Sequence, residues 1–340
     1  MAMKKPTQTQ PEDASTVDVS IVVPVYNESE SIEAMCRELH GVLASLGRRF
    51  EVWLIDDGSS DGTWDTMAEL GRELPHLGLI RFRRNFGQTA AMSAGFDAAR
   101  GEVVITLDGD MQNDPADIPR LLDRMDQGFD VVSGWRKNRH DRFLDRRLPS
   151  ILANRLISSI TGVALHDFGC TLKAYRREVI KNVNLYGEMH RFIPALASWV
   201  GGRVDEVVVN HRARQFGTSK YGISRTFRVV LDLVTVKFLL RYSTGPIQMF
   251  GKVAAVFAFP GLLMLALMIG ANAIATVFGV SVPGDTLIKR PFWVMTSFML
   301  IFMGMQFISL GLLAEIQIRT YHESQDKPIY VVRDTVEPSA

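Results

Sequence analysis

The sequence predicts an α/β domain on a mainly parallel, Rossmann-like sheet, followed by an amphipathic helix and a two-helix transmembrane hairpin. Three observations carry that reading. Short, β-branched apolar runs alternate with amphipathic stretches from Asp18 to about Gly222. Polar loops rich in carboxylates follow the strand-like runs. Two long charge-free runs then occupy the C-terminal third.

Met1 to Val17 is rich in Thr, Gln, Pro and Asp and has no apolar run, so residues 1–17 read as a disordered tail and not a signal peptide. Residues 18–222 follow as the α/β domain. Its strand-like segments are Ser20 to Val25, Phe50 to Ile55, Leu79 to Phe82, Val103 to Leu107 and Asp130 to Ser133. The helical stretches Ser29 to Leu46, Thr63 to Leu74 and Gly87 to Ala99 separate them. Such alternation implies crossover helices, with ligands bound beyond the carboxyl ends of the strands.

In residues 223–248, Ile223, Phe227, Val230, Leu231, Val234 and Phe238 recur at helical spacing, with Arg225, Arg228, Lys237 and Arg241 between them. Just before a hairpin this reads as a helix in the membrane interface; the alternative is a surface helix on the soluble core. The hairpin fills residues 249–315. No charge occurs from Val253 to Phe278 or from Pro291 to Ala314, and each run exceeds the ~20 residues that cross a hydrocarbon core. Gly304 and Gly311 permit close packing, and Gln306 is expected to hydrogen-bond between the helices. Lys237, Arg241, Lys252, Arg319 and Lys327 at the outer ends outnumber Lys289 and Arg290 in the loop. That bias puts the α/β domain and both termini in the cytoplasm, at the inner (plasma) membrane. Residues 316–340 form a cytoplasmic tail, and its β-prone Ile329 to Val332 would add a strand to a neighbouring subunit.

A formal net charge of +1 argues against a nucleic-acid partner. Cys36 and Cys170 are the only cysteines, too few for a disulfide framework, and fit a reducing compartment.

The chemistry concentrates in four loops after strands. Asp108-Gly109-Asp110-Met111-Gln112 places two carboxylates one residue apart, able to approach one hard cation, with an amide oxygen two residues on. Gly109 is expected to supply the tight turn. Pro24-Val25-Tyr26-Asn27-Glu28 ends a strand and reads as the cap of the next helix, while Asp56 to Asp61 reads either as a capped turn or as adjacent carboxylates that accept hydrogen bonds from a base or ribose. Arg83 to Gln88 sets cations and a glycine before a helix start, suited to phosphate oxygens. Arg136, Lys137, Arg139, Arg142, Arg146, Arg147 and Arg155 crowd a short stretch, offset only by Asp141 and Asp145. The bland reading is a solvated or lipid-facing surface; the sharper one is a phosphate receptor, since guanidinium groups fork onto phosphate. His166 and His190 have no ligand spacing and are assigned no role.

In order and spacing these four motifs resemble the inverting nucleotide-sugar glycosyltransferases of the GT-A fold. The similarity continues through Gly134-Trp135-Arg136, Asp167 to Cys170, Glu188 to Pro194, Arg214 to Tyr221, the hairpin and Lys327-Pro328-Ile329-Tyr330. That longer pattern looks like the polyprenyl-phosphate glycosyltransferases, and it covers nearly all of the chain beyond residue 17. The Gln-x-x-Arg-Trp signature of processive synthases is missing, which implies a single sugar transfer.

The resemblance implies that Asp108, Asp110 and Gln112 hold Mg²⁺ or Mn²⁺ on the nucleotide diphosphate. It places Pro24, Tyr26, Glu28 and Asp57 at the nucleoside, with Arg84 and Gln88 on the donor side. It puts Arg136, Arg146, Arg147, Arg214, Ser219 and Lys220 at the lipid phosphate. Asp167, then Glu188, are the candidates for a base or orienting carboxylate. The implied partners are a UDP-sugar, undecaprenyl phosphate, the bilayer and further copies of the chain, as a tetramer. Two rivals are a transferase acting on another lipid or a protein, and a silent membrane scaffold built on a GT-A module.

Overall fold

The computed structural model describes residues 17–137, 148–181, 183, 185, 189–199, 201–213, 246–279, 291–324 and 330–338. The chain divides into two compact units. One is Arg241–Asp326, which contains the helical hairpin; the other is Ala2–Leu240 together with Lys327–Ala340.

In the larger unit, β1 (Val19–Val25), β2 (Phe50–Asp56), β3 (Leu77–Phe82) and β4 (Val103–Thr106) form where the β-branched runs predict them. They are joined by α1 (Ile32–Ser45), α2 (Thr63–Glu73) and α3 (Gln88–Ala98). β5 (Val131–Trp135), β6 (Lys173–Arg176), β7 (Val204–Val208) and β8 (Val332–Val336) complete the sheet, in the order β7-β5-β6-β4-β1-β2-β3-β8. The β3-β2-β1-β4 block is parallel throughout, so the loops leaving these strands emerge along one edge. β6 runs antiparallel to both β4 and β5.

The buried core explains the block's stability. Ile21, Val23 and Leu54 meet Met35, Leu39 and Leu43 of α1 on one face of the sheet, as expected for parallel strands covered by helices. On the other face Gly95 of α3 lets the helix close onto β1; a Cβ there would lie 2.3 Å from Val22 Cγ1.

The tail forms a strand at Val332–Val336, shifted along the chain from the β-prone Ile329 to Val332. β8 pairs antiparallel with β3 of its own chain, Phe82 facing Val332 and Leu79 facing Val336, where a neighbouring subunit was the expected partner. The sheet's edge is thereby covered by a segment that follows the hairpin in sequence.

Among the described residues, the smaller unit has two helices, Pro246–Phe278 and Pro291–Ser324, packed on each other. Both are long and apolar enough to span a bilayer, and most of their side chains are exposed, unlike those of a soluble core helix. Small residues set the contact. A Cβ on Gly304 would lie 2.7 Å from Ala258 Cβ, and one on Gly311 would lie 2.6 Å from Phe250 Cβ. Gln306 is exposed on the hairpin surface, which corrects its expected place between the helices. Ser297 is the buried polar residue there, its hydroxyl donating to Trp293 O within the same helix. The interfacial-helix expectation for residues 223–242 lies outside the described residues.

Candidate active site

The four loops lock onto one another through backbone amides and short polar side chains. Asn27 N–H donates to Ser59 Oγ (2.9 Å), Ser60 N–H returns to Asn27 Oδ1 (2.9 Å), and Glu28 N–H donates to Thr63 Oγ1 (2.9 Å). Asn27 sits at φ 53°, a left-handed conformation that Asn tolerates because its side chain bonds locally. Ser31 Oγ donates to Glu28 Oε2 (2.9 Å) and also contacts Gly109 O (3.1 Å), tying the first loop to the fourth.

Asp57 is almost fully buried and accepts from the Phe86 amide (2.6 Å) and the Gly87 amide (2.9 Å). Burial pushes its pKa up to about 6, against the pull of those two amides. The second and third loops can approach only because residue 58 is glycine: at φ +73° a Cβ would sit 2.5 Å from the Arg84 carbonyl carbon.

Asp108, two residues past β4, has both oxygens engaged. Gln88 Nε2 donates to Oδ1 (2.7 Å) and Thr171 Oγ1 to Oδ2 (2.6 Å). Burial, and after it the Asp110 carboxylate, raise Asp108 to about 6. Asp110 Oδ1 accepts from the Gln112 amide (3.1 Å), and Gln112 O accepts from Arg212 N–H (3.0 Å). The positive φ of this loop belongs to Met111 (58°), not to Gly109 as expected; at Gly109 a Cβ would meet nothing closer than 3.7 Å. Such backbone costs about 1–2 kcal/mol in a non-glycine residue. It is held here by the surrounding loops, as strained residues at functional sites are.

These loops enclose a cleft of about 220 Å³ lined by Pro24, Val25, Tyr26, Glu28, Asp57, Asn85, Gly87, Gln88, Asp108, Gly109 and Asp110. Seven of the residues singled out from sequence thus share one cavity: Pro24, Tyr26, Glu28, Asp57, Gln88, Asp108 and Asp110. Arg84 and Gln112 stand beside that lining; the Arg84 guanidinium lies over the Phe86 ring at 4.0 Å. Asp108 and Asp110 suit a divalent cation, because two neighbouring carboxylates border the same cleft and the charge of one raises the pKa of the other.

Behind the cleft lies a second cluster. Arg136, at the end of β5, grips Asp167 with two hydrogen bonds, Nε to Oδ2 (2.7 Å) and Nη2 to Oδ1 (3.0 Å). Arg136 and Asp167 entered from sequence in separate roles, as phosphate receptor and as base; they form one ion pair, with side chains 13% and 4% exposed. Lys173 on β6 is buried beside them and donates to Phe168 O (3.0 Å); burial lowers its pKa to about 8. Arg146, Arg147, Glu188, Arg214, Ser219 and Lys220 lie outside the described residues.

Gly87, expected from sequence as the glycine before a helix start, lines the cleft together with Asn85, which had no separate role. Other residues were passed over from sequence. Thr171 clamps Asp108, and Asn113 Nδ2 in turn donates to Thr171 Oγ1 (3.0 Å). His190 is buried as a neutral ring, its pKa lowered by burial, with Nδ1 2.8 Å from Thr89 Oγ1 in the first turn of α3. His166 stacks on Trp135 with ring centroids 4.2 Å apart and bonds Glu206. The Asp167–Cys170 motif stops one residue short of Thr171, and that proximity was the available signal.

The family model described as "Glycosyl transferase family 2" matches residues 20–183. Dodecaprenyl-phosphate galacturonate synthase of Rhizobium johnstonii is 43% identical over 336 residues, covering 97% of this chain and 96% of that protein. Among solved structures, glucosyl-3-phosphoglycerate synthase from Mycobacterium tuberculosis, in complex with Mn²⁺, UDP and glucosyl-3-phosphoglycerate, matches with a TM-score of 0.52. It is 16% identical over 69% of this chain and 86% of its own. Mannosyl-3-phosphoglycerate synthase from Rubrobacter xylanophilus matches with a TM-score of 0.52 at 17% identity, over 65% of this chain and 74% of its own. At those identities the two structures establish the fold alone. The chain belongs to glycosyl transferase family 2.

Proposed function

We propose that this glycosyltransferase moves one sugar from a UDP-sugar to a polyprenyl phosphate, undecaprenyl phosphate being the favoured acceptor, and releases UDP. The observation that carries the reading is the union in one chain of an acidic cleft with two membrane-length helices, matched over 97% of its length by a relative named for a dodecaprenyl-phosphate sugar product. That name also makes UDP-galacturonic acid the first donor to test.

Asp108 and Asp110 would hold Mg²⁺ or Mn²⁺, with Gln112 near. When bound, the cation supplies charge neutralisation for the departing diphosphate. The chain's own side chains do the rest. Gln88 and Thr171 fix the Asp108 carboxylate, Asp57 gathers the Phe86 and Gly87 amides at one wall of the cleft, and Tyr26 and Pro24 form another. Arg84 adds a cation on the donor side.

An acceptor phosphate oxygen forms a bond to the anomeric carbon as that carbon's bond to the diphosphate oxygen breaks. The electron pair leaves with UDP, and the anomeric configuration inverts. A phosphate monoester has its second pKa near ~6, so the nucleophile arrives largely deprotonated and orientation governs the rate. The two hydrogen bonds from Arg136 suit Asp167 to orienting that guanidinium toward phosphate more than to removing a proton. Arg146, Arg147, Arg214, Ser219 and Lys220 complete the phosphate receptor in this scheme, with Glu188 as a second orienting carboxylate. The cation bias flanking the hairpin supports an inner-membrane protein with a cytoplasmic catalytic domain and cytoplasmic termini. The resemblance supports a homotetramer, and the mass of the particle in mild detergent tests it.

The test is incubation of the full chain in detergent with Mn²⁺, a panel of UDP-sugars and undecaprenyl phosphate, measuring UDP release. Release that requires the lipid phosphate supports the proposal. Release to diacylglycerol or protein instead would move the assignment to another acceptor, and no release with any donor would favour the scaffold.

A further inference from the structure

The C-terminal tail is stitched to the donor loop by one side chain. Tyr330 lies just ahead of β8, and its hydroxyl donates to Asp97 Oδ2 (3.0 Å) near the end of α3. Its ring stacks on Phe82, the last residue of β3, with centroids 5.2 Å apart and planes 15° apart. β3 leads into residues 83–87 and α3 leads out of them, so Tyr330 packs on the residue that enters that loop and is itself anchored at the far end of the helix that leaves it. Two further contacts extend the bridge inward. Arg83 N–H donates to Val331 O (3.2 Å). Phe82 meets Phe86 edge-on at 5.7 Å, and the Phe86 amide is one of the two held by Asp57.

We propose that Tyr330 is a positioning residue, through which the tail holds residues 83–88 in the shape that receives the nucleotide. The loop needs such a hold. Gly87 and Gln88 line the cleft, and the loop's inner anchors are hydrogen bonds alone, from the Phe86 and Gly87 amides to Asp57 and from Gln88 to Asp108. A stacked aromatic ring carrying a polar handle fixes the end of β3 against the far end of α3 at low entropic cost, because a tyrosine has few rotatable bonds to order. The deduction rests on the donor reading above only for the identity of the ligand.

Two measurements on the full-length chain in detergent test it: hydrogen exchange of the amides in residues 83–88, and calorimetric titration with UDP plus Mn²⁺. Tyr330→Ala should speed exchange in that loop while leaving β1 and β2 protected, and weaken UDP binding about tenfold. Tyr330→Phe and Asp97→Ala each remove only the hydrogen bond, so each should weaken binding about threefold, and the double variant no further than either single. If Tyr330→Ala does not fold, those two variants carry the test. Unchanged loop exchange, or additive effects of Tyr330→Phe and Asp97→Ala, would overturn the positioning role. Failure of the wild-type chain to bind UDP would count against the donor reading alone, since the exchange result decides the role of Tyr330 regardless.

Discussion

The side chain of Gln88 donates to Asp108 across 2.7 Å, joining the first residue of α3 to the loop that follows β4. With Thr171 on the opposite oxygen, it leaves the Asp108 carboxylate one orientation facing the cleft. A hydrogen bond to a charged group is worth about 1.5–3 kcal/mol, so Gln88→Ala should weaken Mn²⁺ binding by roughly 10-fold or more. Thr171→Val should do the same with little change in volume. Metal titration followed by calorimetry reads both, and unaltered affinity in both variants would show that Asp108 needs no such support.

Asp110→Ala removes the other carboxylate of the pair and should abolish cation-dependent turnover. The hairpin helices pack on each other through Gly304 and Gly311, so membrane insertion should persist. Flotation with vesicles and UDP release are the paired measurements; normal turnover would remove Asp110 from the site.

The pH response has a definite sign. Burial raises Asp57 and Asp108 from 3.8 to about 6. Between about pH 4 and 6 the folded chain therefore binds more protons than the unfolded one, and their combined contribution to stability falls as pH rises through that window. A divalent cation binds the ionised carboxylates and acts in the opposite sense. The rise in Tm caused by Mn²⁺ should be large near about pH 7.5 and mostly gone near about pH 5.5. Equal increments at both would contradict the assignment of Asp108.

Breaking the Arg136–Asp167 pair should be costly because both side chains are buried. Arg136→Ala strands the carboxylate and should lower stability by about 3–5 kcal/mol, while adding Asp167→Ala should recover part of that loss. In activity, Arg136→Lys keeps the charge but not the fork, and should raise the KM for lipid phosphate more than that for the UDP-sugar. Denaturant unfolding and steady-state kinetics check the two halves separately.

The parallel block was legible from sequence because its strands are continuous β-branched runs and its loops carry carboxylates that a plain turn does not need. That regularity brought the loops of Pro24, Tyr26, Asp57, Asp108 and Asp110 to one sheet edge, and the family resemblance supplied their roles. What escaped depends on non-local register. β6 enters antiparallel between β4 and β5, and only that reversal brings Thr171 to Asp108 and buries Lys173. The tail's β propensity was visible at Val331 and Val332, but its partner was not, since any exposed edge offers the same backbone donors and acceptors. Gly109 was credited with a turn that Met111 makes, because the surrounding loops override local preference there.

The central claim is that an oxygen of the lipid's phosphate attacks the anomeric carbon. Its most direct test uses undecaprenyl phosphate carrying heavy oxygen at every non-bridging phosphate position, with UDP-galacturonic acid or whichever donor proves active. Mass spectrometry of the products should find all of the label in the glycosylated lipid, including the new bridge to the sugar, and none in UDP. Label lost from the lipid, or a sugar attached anywhere other than that phosphate, would contradict the claim.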